Sequence, residues 1–171
     1  MRLLIGLWFA TLCIHSTSAL AVQDTQRFMR FQHDGQIKHG RIKGDRIEVL
    51  SGDYLIRTDT TGKTLALADV TPLPPTKASK VFAVGMNFSS HLASNANSAP
   101  PLFLKLPSSL TGHASDIVLP DDARNVHFEG ELVLVIAKQA KNVSVADAPA
   151  YIFGVTAGND LSERGWQGRD L

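Results

Sequence analysis

The sequence predicts a mostly β protein of the α+β class, in which a small β-rich N-terminal domain precedes a mixed β-roll or sandwich. Short runs of alternating apolar and polar residues recur along its 171 residues, and turn-forming residues separate them. Few stretches have the spacing of a helix. The composition, 44% hydrophobic and 19% charged, is that of a folded globular protein. A formal charge of +1 gives no indication of a nucleic-acid partner.

The first segment, residues 1–21 (MRLLIGLWFATLCIHSTSALA), has the pattern of a secretory signal peptide. It contains a basic Arg2, then an apolar run, and it ends in small residues. The run is shorter than the roughly 20 residues that span a bilayer. We expect cleavage after Ala21, export to a periplasm and no stable membrane association afterwards. The alternatives are an uncleaved anchor, a lipid on Cys13, or a cytoplasmic protein if the segment is not used.

Residues 22–76 are predicted to form the small N-terminal domain and a proline-rich linker. Between residues 28 and 50, apolar and polar residues alternate and are interrupted by the turn sequences His-Asp-Gly and Lys-Gly-Asp, which indicates a small antiparallel meander. The prolines of LALADVTPLPPT favour an extended connector, because proline lacks a backbone donor. We therefore place a domain boundary near Thr76.

Residues 77–171 are predicted to form the second domain. A turn is expected at residues 144–148, and the polar residues 89–100 could hold one helical turn. The chain stops after a polar stretch without a closing strand, so its β-roll would be incomplete, and we expect the sequence to be truncated. The predicted strands are KVFAVGMNF (80–88), PLFLKL (101–106), ASDIVLPDDA (114–123), VHFEGELVLVIAK (126–138) and YIFGVTAGND (151–160).

Three acids mark the ends of two predicted strands. Side chains alternate across a strand, so Glu129 and Glu131 share one face, and Asp160 ends another apolar strand. Such carboxylates suit a hard cation, Mg²⁺, Mn²⁺ or Ca²⁺, better than zinc. The alternative is a solvated strand end. His127 falls on the same face, and we interpret it as a strand-start residue rather than a ligand.

His91 follows a strand end in a polar segment. A histidine on a loop near a metal could act as a general base towards water. A solvated loop side chain is the alternative.

Four segments resemble motifs of the fumarylacetoacetate hydrolase superfamily, and they occur in the family's order. VGMNFSSH resembles VGxNYxxH, LFLKLPSSL resembles LFLKPPSS, HFEGELVLVI is similar to YEGELxxVI, and FGVTAGNDLSER is similar to FGYTxGNDxSAR. Residues 28–75 look like the small N-terminal domain of the family's bacterial members.

The resemblance implies a mixed β-roll in which a divalent cation, Mg²⁺ or else Mn²⁺ or Ca²⁺, holds a 2-oxo or 1,3-diketo acid. The implied reaction is hydrolysis of a C–C bond in an acylpyruvate-like substrate through a stabilised enolate, and relatives are commonly homodimers. The residues that the resemblance assigns are Glu129, Glu131 and Asp160 as metal ligands, His91 and Lys105 as catalytic groups, and Arg164, Gln167 and Ser108 as substrate-binding groups.

One departure bears on the reaction. Hydrolytic relatives have a glutamate three residues after the histidine, whereas this chain has Ser94, and a serine cannot stabilise an imidazolium as a carboxylate does. Isomerisation, tautomerisation or decarboxylation uses the same enolate without an activated water. A non-catalytic relative that binds metal and oxo acid is a further alternative.

Overall fold

The computed structural model describes residues 25–88 and 99–167. It is mostly β, as predicted. The N-terminal part is a five-stranded sheet of order β4-β3-β2-β1-β5. Its strands are Arg27–His33 (β1), Gln36–Lys43 (β2), Arg46–Leu50 (β3), Thr60–Ala66 (β4) and Thr71–Pro72 (β5).

The predicted meander is confirmed in β1 to β3. His33 pairs with Gln36 across a two-residue turn, in which Asp34 and Gly35 have φ of 50° and 70°. Positive φ at both central residues is the requirement of a type I′ turn, and aspartate with glycine meets it at low cost. The proline-containing β5 pairs only at the edge of the sheet, next to β1, where a missing N–H is tolerated.

The core of this sheet is built around two fully buried side chains, Phe31 and Ile47, each with 0% exposure. Val49 and Val70 complete the cluster. Gly40 lies between the strands at this point, and a Cβ there would come within 2.1 Å of Ile47 Cγ2. Glycine at position 40 is therefore required for β2 and β3 to approach each other over the core.

An aromatic cluster joins the sheet to the rest of the chain. The ring of Phe153 stacks on Tyr54 at 5.2 Å and lies 5.6 Å from Phe28. Tyr54 is 4% exposed and its hydroxyl donates to the carbonyl of Pro75. Burial raises the pKa of Tyr54 to about 12, so the hydroxyl keeps its proton and remains a donor.

The remaining strands form three two-stranded sheets: β6 with β7, β8 with β11, and β9 with β10. A 3₁₀ turn at Ala148–Tyr151 leads into β10. The elements are Val81–Val84 (β6), Leu102–Lys105 (β7), Val126–His127 (β8), Gly130–Ile136 (β9), Ile152–Asn159 (β10), Ser162–Glu163 (β11) and the short helix Arg164–Gln167 (α1).

Two strand predictions need correction. Residues 114–123 form no strand, and Val118 within them is 89% exposed. Ile, Val and Leu favour strands only where a neighbouring strand gives them a surface to pack on, and this segment has none. The predicted strand 126–138 is divided into β8 and β9, which pair with different partners.

Other predictions have mixed outcomes. The turn at residues 144–148 is confirmed, since Asp147 N–H donates to the Ser144 carbonyl. The proposed signal peptide and most of the proposed helical turn in residues 89–100 lie outside the described residues. Within residues 25–88 and 99–167, no helix is long and apolar enough to cross a membrane. The boundary near Thr76 stays a prediction.

Candidate functional site

The register of β9 and β10 places the three acids on one face. Gly130 pairs with Asn159 and Glu131 with Gly158. One step further, the Asp160 N–H donates to the Glu129 carbonyl at 2.8 Å. Directly opposed residues of antiparallel strands share a face, so the predicted common face of Glu129 and Glu131 also includes Asp160.

Two neighbours of the acids fix the strand ends. Asn159 Oδ1 accepts a 3.0 Å hydrogen bond from the Glu129 N–H, which continues the ladder by a side chain. Gly158 lies opposite Glu131, and a Cβ on it would stand 2.7 Å from Val133 Cγ2. A glycine at this position therefore lets the two strands lie close and leaves no side chain opposite Glu131.

Two basic side chains neutralise two of these acids. Lys105 Nζ at the end of β7 contacts Asp160 Oδ1, and their side chains are 28% and 18% exposed. Arg164 Nη2 lies 2.8 Å from Glu129 Oε1, with side chains 32% and 28% exposed. The predicted catalytic lysine and substrate-binding arginine thus lie at the predicted metal ligands.

The other two predicted substrate-binding residues are Gln167 and Ser108. Gln167 Oε1 accepts a 2.8 Å hydrogen bond from Arg164 Nη1, which orients the guanidinium that also bonds Glu129. Ser108 lies in the exposed 3₁₀ turn Pro107–Ser109, two residues after the end of β7. The structure therefore brings Gln167 to the acids through Arg164, and Ser108 to the turn that follows Lys105.

Sequence reasoning missed Glu163. Its carboxylate accepts hydrogen bonds from the backbone N–H groups of Asn125 and Trp166 at 2.7 Å and of Arg124 at 3.2 Å. Burial raises its pKa, but bonds from the backbone N–H groups of Asn125, Arg124, Trp166 and Gly165 outweigh burial and lower the pKa overall. The carboxylate caps α1 and so positions Arg164. An acid directly before a short polar helix was the available signal.

His127 lies in β8 and is exposed. Its Nε2 is 2.9 Å from Asn125 Oδ1, a contact with a neighbouring amide rather than with the acids. His127 is the second residue of the two-residue strand β8, and its interpretation as a strand-start residue rather than a ligand stays a prediction. His91 and Ser94 lie outside the described residues, so the role of either remains a prediction.

The predicted metal ligands share a face, but their carboxylates are not gathered. Among residues 25–88 and 99–167, no three His, Cys, Asp or Glu side chains are close enough together to hold a metal ion. The chemistry of the donors suits a hard divalent cation, since all three are carboxylates. Their described positions do not fit one, because Asp160 and Glu129 turn to Lys105 and Arg164 instead.

Comparison with known families identifies the family to which the chain belongs. Residues 80–171 match the family described as fumarylacetoacetate (FAA) hydrolase C-terminal, and residues 26–75 match the Rv2993c-like N-terminal family. The first match covers more than half of the chain. The chain belongs to the fumarylacetoacetate hydrolase family, and the predicted resemblance is confirmed.

Several curated proteins are similar. Protein Rv2993c of Mycobacterium tuberculosis is 43% identical over 64% of this chain and 43% of its own length. The homoprotocatechuate catabolism bifunctional isomerase/decarboxylase of Escherichia coli is 38% identical, over 71% of this chain and 30% of its own. The human mitochondrial oxaloacetate tautomerase FAHD2A is 38% identical, over 61% of this chain and 35% of its own length. The chain thus spans half or less of the length of each.

Solved structures with the same architecture include the 5-carboxymethyl-2-hydroxymuconate delta-isomerase of Mycobacterium smegmatis. It is 36% identical with a TM-score of 0.77, over 85% of this chain and 58% of that one. Maleylpyruvate hydrolase of Sphingobium sp. SYK-6, solved with manganese(II) and pyruvate, is 26% identical with a TM-score of 0.64. The likeness covers 82% of this chain and 60% of that one. The relatives whose names state an activity are enzymes: an isomerase/decarboxylase and a tautomerase at 38% identity, a delta-isomerase at 36% and a hydrolase at 26%.

Proposed function

We propose that this protein is a divalent-cation-dependent enzyme that forms the enolate of a small 2-oxo acid and then isomerises, tautomerises or decarboxylates it. The observation that carries the proposal is the convergence of Lys105 and Arg164 on Asp160 and Glu129 at the end of the β9–β10 ladder. The carboxylates would supply ligands for a metal, and the two basic side chains donors for an anionic substrate, once the ion pairs of the described state separate.

Each residue has a role in this proposal. Glu129, Glu131 and Asp160 would hold the cation, Mg²⁺ or else Mn²⁺ or Ca²⁺. A cation held there would supply a Lewis acid for the negative charge on the 2-oxo oxygen. Arg164, oriented by Gln167, offers a fork of N–H donors that matches a carboxylate. Ser108 would add a hydroxyl donor, and Lys105 a positive charge beside the developing enolate.

Proton transfer or decarboxylation is favoured over hydrolysis for two reasons. Ser94 stands where hydrolytic relatives have an acid, so His91 would lack the group that orients an imidazole base. The relatives at 38% identity are named as an isomerase/decarboxylase and a tautomerase.

The second candidate is hydrolysis of a C–C bond in an acylpyruvate or fumarylacetoacetate-like 1,3-diketo acid, with His91 activating the water. The likeness to maleylpyruvate hydrolase supports it. A relative that binds the metal and the oxo acid without turnover is the third.

Product analysis by ¹H NMR tests the three candidates. The chain is incubated with Mg²⁺ and either oxaloacetate or acetylpyruvate, beside a control with Mg²⁺ alone. Faster keto–enol exchange of oxaloacetate, or its conversion to pyruvate, supports the proposal. Release of acetate and pyruvate from acetylpyruvate with no effect on oxaloacetate would favour hydrolysis. Binding of oxaloacetate in calorimetry without any product over hours would favour the non-catalytic relative.

We also propose that the protein is exported after cleavage of residues 1–21, and that it forms a homodimer. The support for export is the signal-peptide pattern of the sequence. N-terminal sequencing of the protein from a periplasmic fraction should begin at Val22, and a start at Met1 would contradict cleavage. Light scattering of the purified chain should give twice the monomer mass, and a monomer mass would contradict the dimer.

A further inference from the structure

We propose that a cavity between the linker, residues 72–78, and the turn after β7 binds a small monocarboxylate that has an apolar body. The cavity has a volume of about 260 Å³. Two basic side chains, Arg30 and Lys77, line it, and its lining within the described residues contains no acid. None of these lining residues belongs to the strand-end site of the proposed function.

Three hydrogen bonds hold the linker against the N-terminal sheet and so shape one wall of the cavity. The Leu73 N–H donates to the Arg30 carbonyl at 3.0 Å, and Arg30 Nη1 donates to the Pro74 carbonyl at 3.4 Å. The Tyr54 hydroxyl donates to the carbonyl of Pro75. Because these bonds fix the backbone of the linker, this wall is formed before any ligand binds, which lowers the entropic cost of binding.

The turn Pro107–Ser109 and the residues after it form a second wall. The Leu110 N–H donates to the Pro107 carbonyl at 3.3 Å, and both residues line the cavity. A Cβ on Gly112 would lie 2.1 Å from the carbonyl oxygen of Pro72, so the chain after the turn packs directly on the linker. The cavity is therefore bounded by two segments that contact each other.

The positive charge of the cavity has no carboxylate partner among residues 25–88 and 99–167, where neither Arg30 nor Lys77 forms an ion pair. Arg30 is partly buried. Within the described residues its guanidinium donates one hydrogen bond, to Pro74, although a guanidinium carries five N–H donors. A partly buried positive charge without a counter-charge favours an anion, and the fork of a guanidinium matches a carboxylate.

The rest of the lining indicates the body of the ligand. Pro74, Pro107 and Leu110 give the cavity apolar surface, and Thr76 adds a hydroxyl. Inorganic phosphate would leave the apolar surface uncovered, whereas a carboxylate on an apolar body can pair with the bases and cover that surface. The volume of about 260 Å³ lies below the roughly 300–1,000 Å³ of most ligand pockets, so the ligand is a small acid rather than a nucleotide.

Binding is tested with 4-fluorobenzoate, followed by ¹⁹F NMR during titration with the full chain in metal-free buffer. The wild type should bind it, and should not bind 4-fluorobenzyl alcohol, which has the same body without the charge. Arg30→Gln should weaken binding about tenfold, because a charge-assisted hydrogen bond is lost. Lys77→Gln removes an exposed charge and should weaken binding about threefold. Lys80→Gln, an exposed lysine outside the cavity, is the matched control and should bind as the wild type does.

Arg30→Lys keeps the charge without the fork, so its affinity should lie between those of the wild type and Arg30→Gln, with folding of each variant checked by circular dichroism. Equal losses in Lys77→Gln and Lys80→Gln would show a response to net charge alone and contradict the cavity. No binding by the wild type, unchanged binding in Lys77→Gln and Arg30→Gln, or displacement by equimolar phosphate would overturn the proposal. Loss of binding in Lys105→Gln or Arg164→Gln would overturn it too, because the ligand would then occupy the strand-end site.

Discussion

The Asp160 N–H donates a 2.8 Å hydrogen bond to the carbonyl of Glu129, so two acids far apart in sequence lie opposite each other at the end of one ladder. This bond follows the register that pairs Gly158 with Glu131. The positions of the three acids therefore depend on how β9 and β10 align. Substitutions that shift this alignment should displace the acids before they unfold the chain.

Gly158→Ala should destabilise the strand end that carries Asp160. The added Cβ would meet Val133 Cγ2 at 2.7 Å, and such overpacking costs about 1–3 kcal/mol. Urea denaturation measures the loss. Gly154→Ala in the same strand is the control, since nothing lies within 4 Å of its added Cβ. Equal stability of the two variants would contradict the close approach.

Phe153→Ala should loosen the contact between the N-terminal sheet and β10. The ring stacks on Tyr54 and packs near Phe28, but it is only partly buried, so we expect a loss of about 2 kcal/mol, less than for a fully buried ring. Phe128→Ala is the matched control, because Phe128 is 84% exposed and its removal should change stability little. Thermal denaturation that ranks the two variants in the opposite order would count against the aromatic cluster.

Glu163 should make the chain sensitive to acid. Backbone hydrogen bonds hold its pKa in the folded state below the ordinary value of 4.5. The stabilisation is therefore full above about pH 4.5 and is lost as the pH falls through the lowered pKa. Glu163→Gln should weaken this acid-dependent loss, measured as the free energy of unfolding between pH 6 and pH 3. An identical pH profile for the variant would show that the hydrogen bonds do not favour the charged form.

His39 should make the stability of the chain depend on pH at a higher pH than Glu163 does. Burial lowers its pKa from 6.5, and Asp53, whose Oδ1 lies 3.5 Å from Nδ1, offsets this only in part. The unfolded chain then takes up the proton first, so stability is full above pH 6.5 and falls as the pH drops below it. His39→Asn should flatten the stability profile between pH 7.5 and 5.5. A wild type whose stability rises over that interval on acidification would contradict the lowered pKa.

Much of the fold could be predicted because local rules and packing agree. The β1–β2 turn is correct since Asp34 and Gly35 suit positive φ. Pro72 was predicted to lie in an extended connector, but it pairs with β1 at the edge of the sheet, where its missing donor is tolerated. Residues 114–123 were predicted wrongly because strand propensity has no effect without a partner strand.

The site was predictable in its placement but not in its contacts. Alternation put Glu129 and Glu131 on one face, and that face depends only on the backbone. The rotamers that turn Asp160 to Lys105 and Glu129 to Arg164 depend on elements that are far apart in sequence. No local pattern of residues reveals such partners.

The most direct test of the proposed function is solvent deuterium exchange at C3 of oxaloacetate, followed by NMR with the full chain in D₂O. Mg²⁺ with the wild type should accelerate the exchange beyond Mg²⁺ alone, and removal of Mg²⁺ or the Asp160→Asn substitution should abolish the acceleration. Lys63→Gln, an exposed substitution on β4, should retain it. Acceleration that persists in Asp160→Asn or in the absence of a divalent cation would contradict the proposal that these strand-end acids carry the reaction.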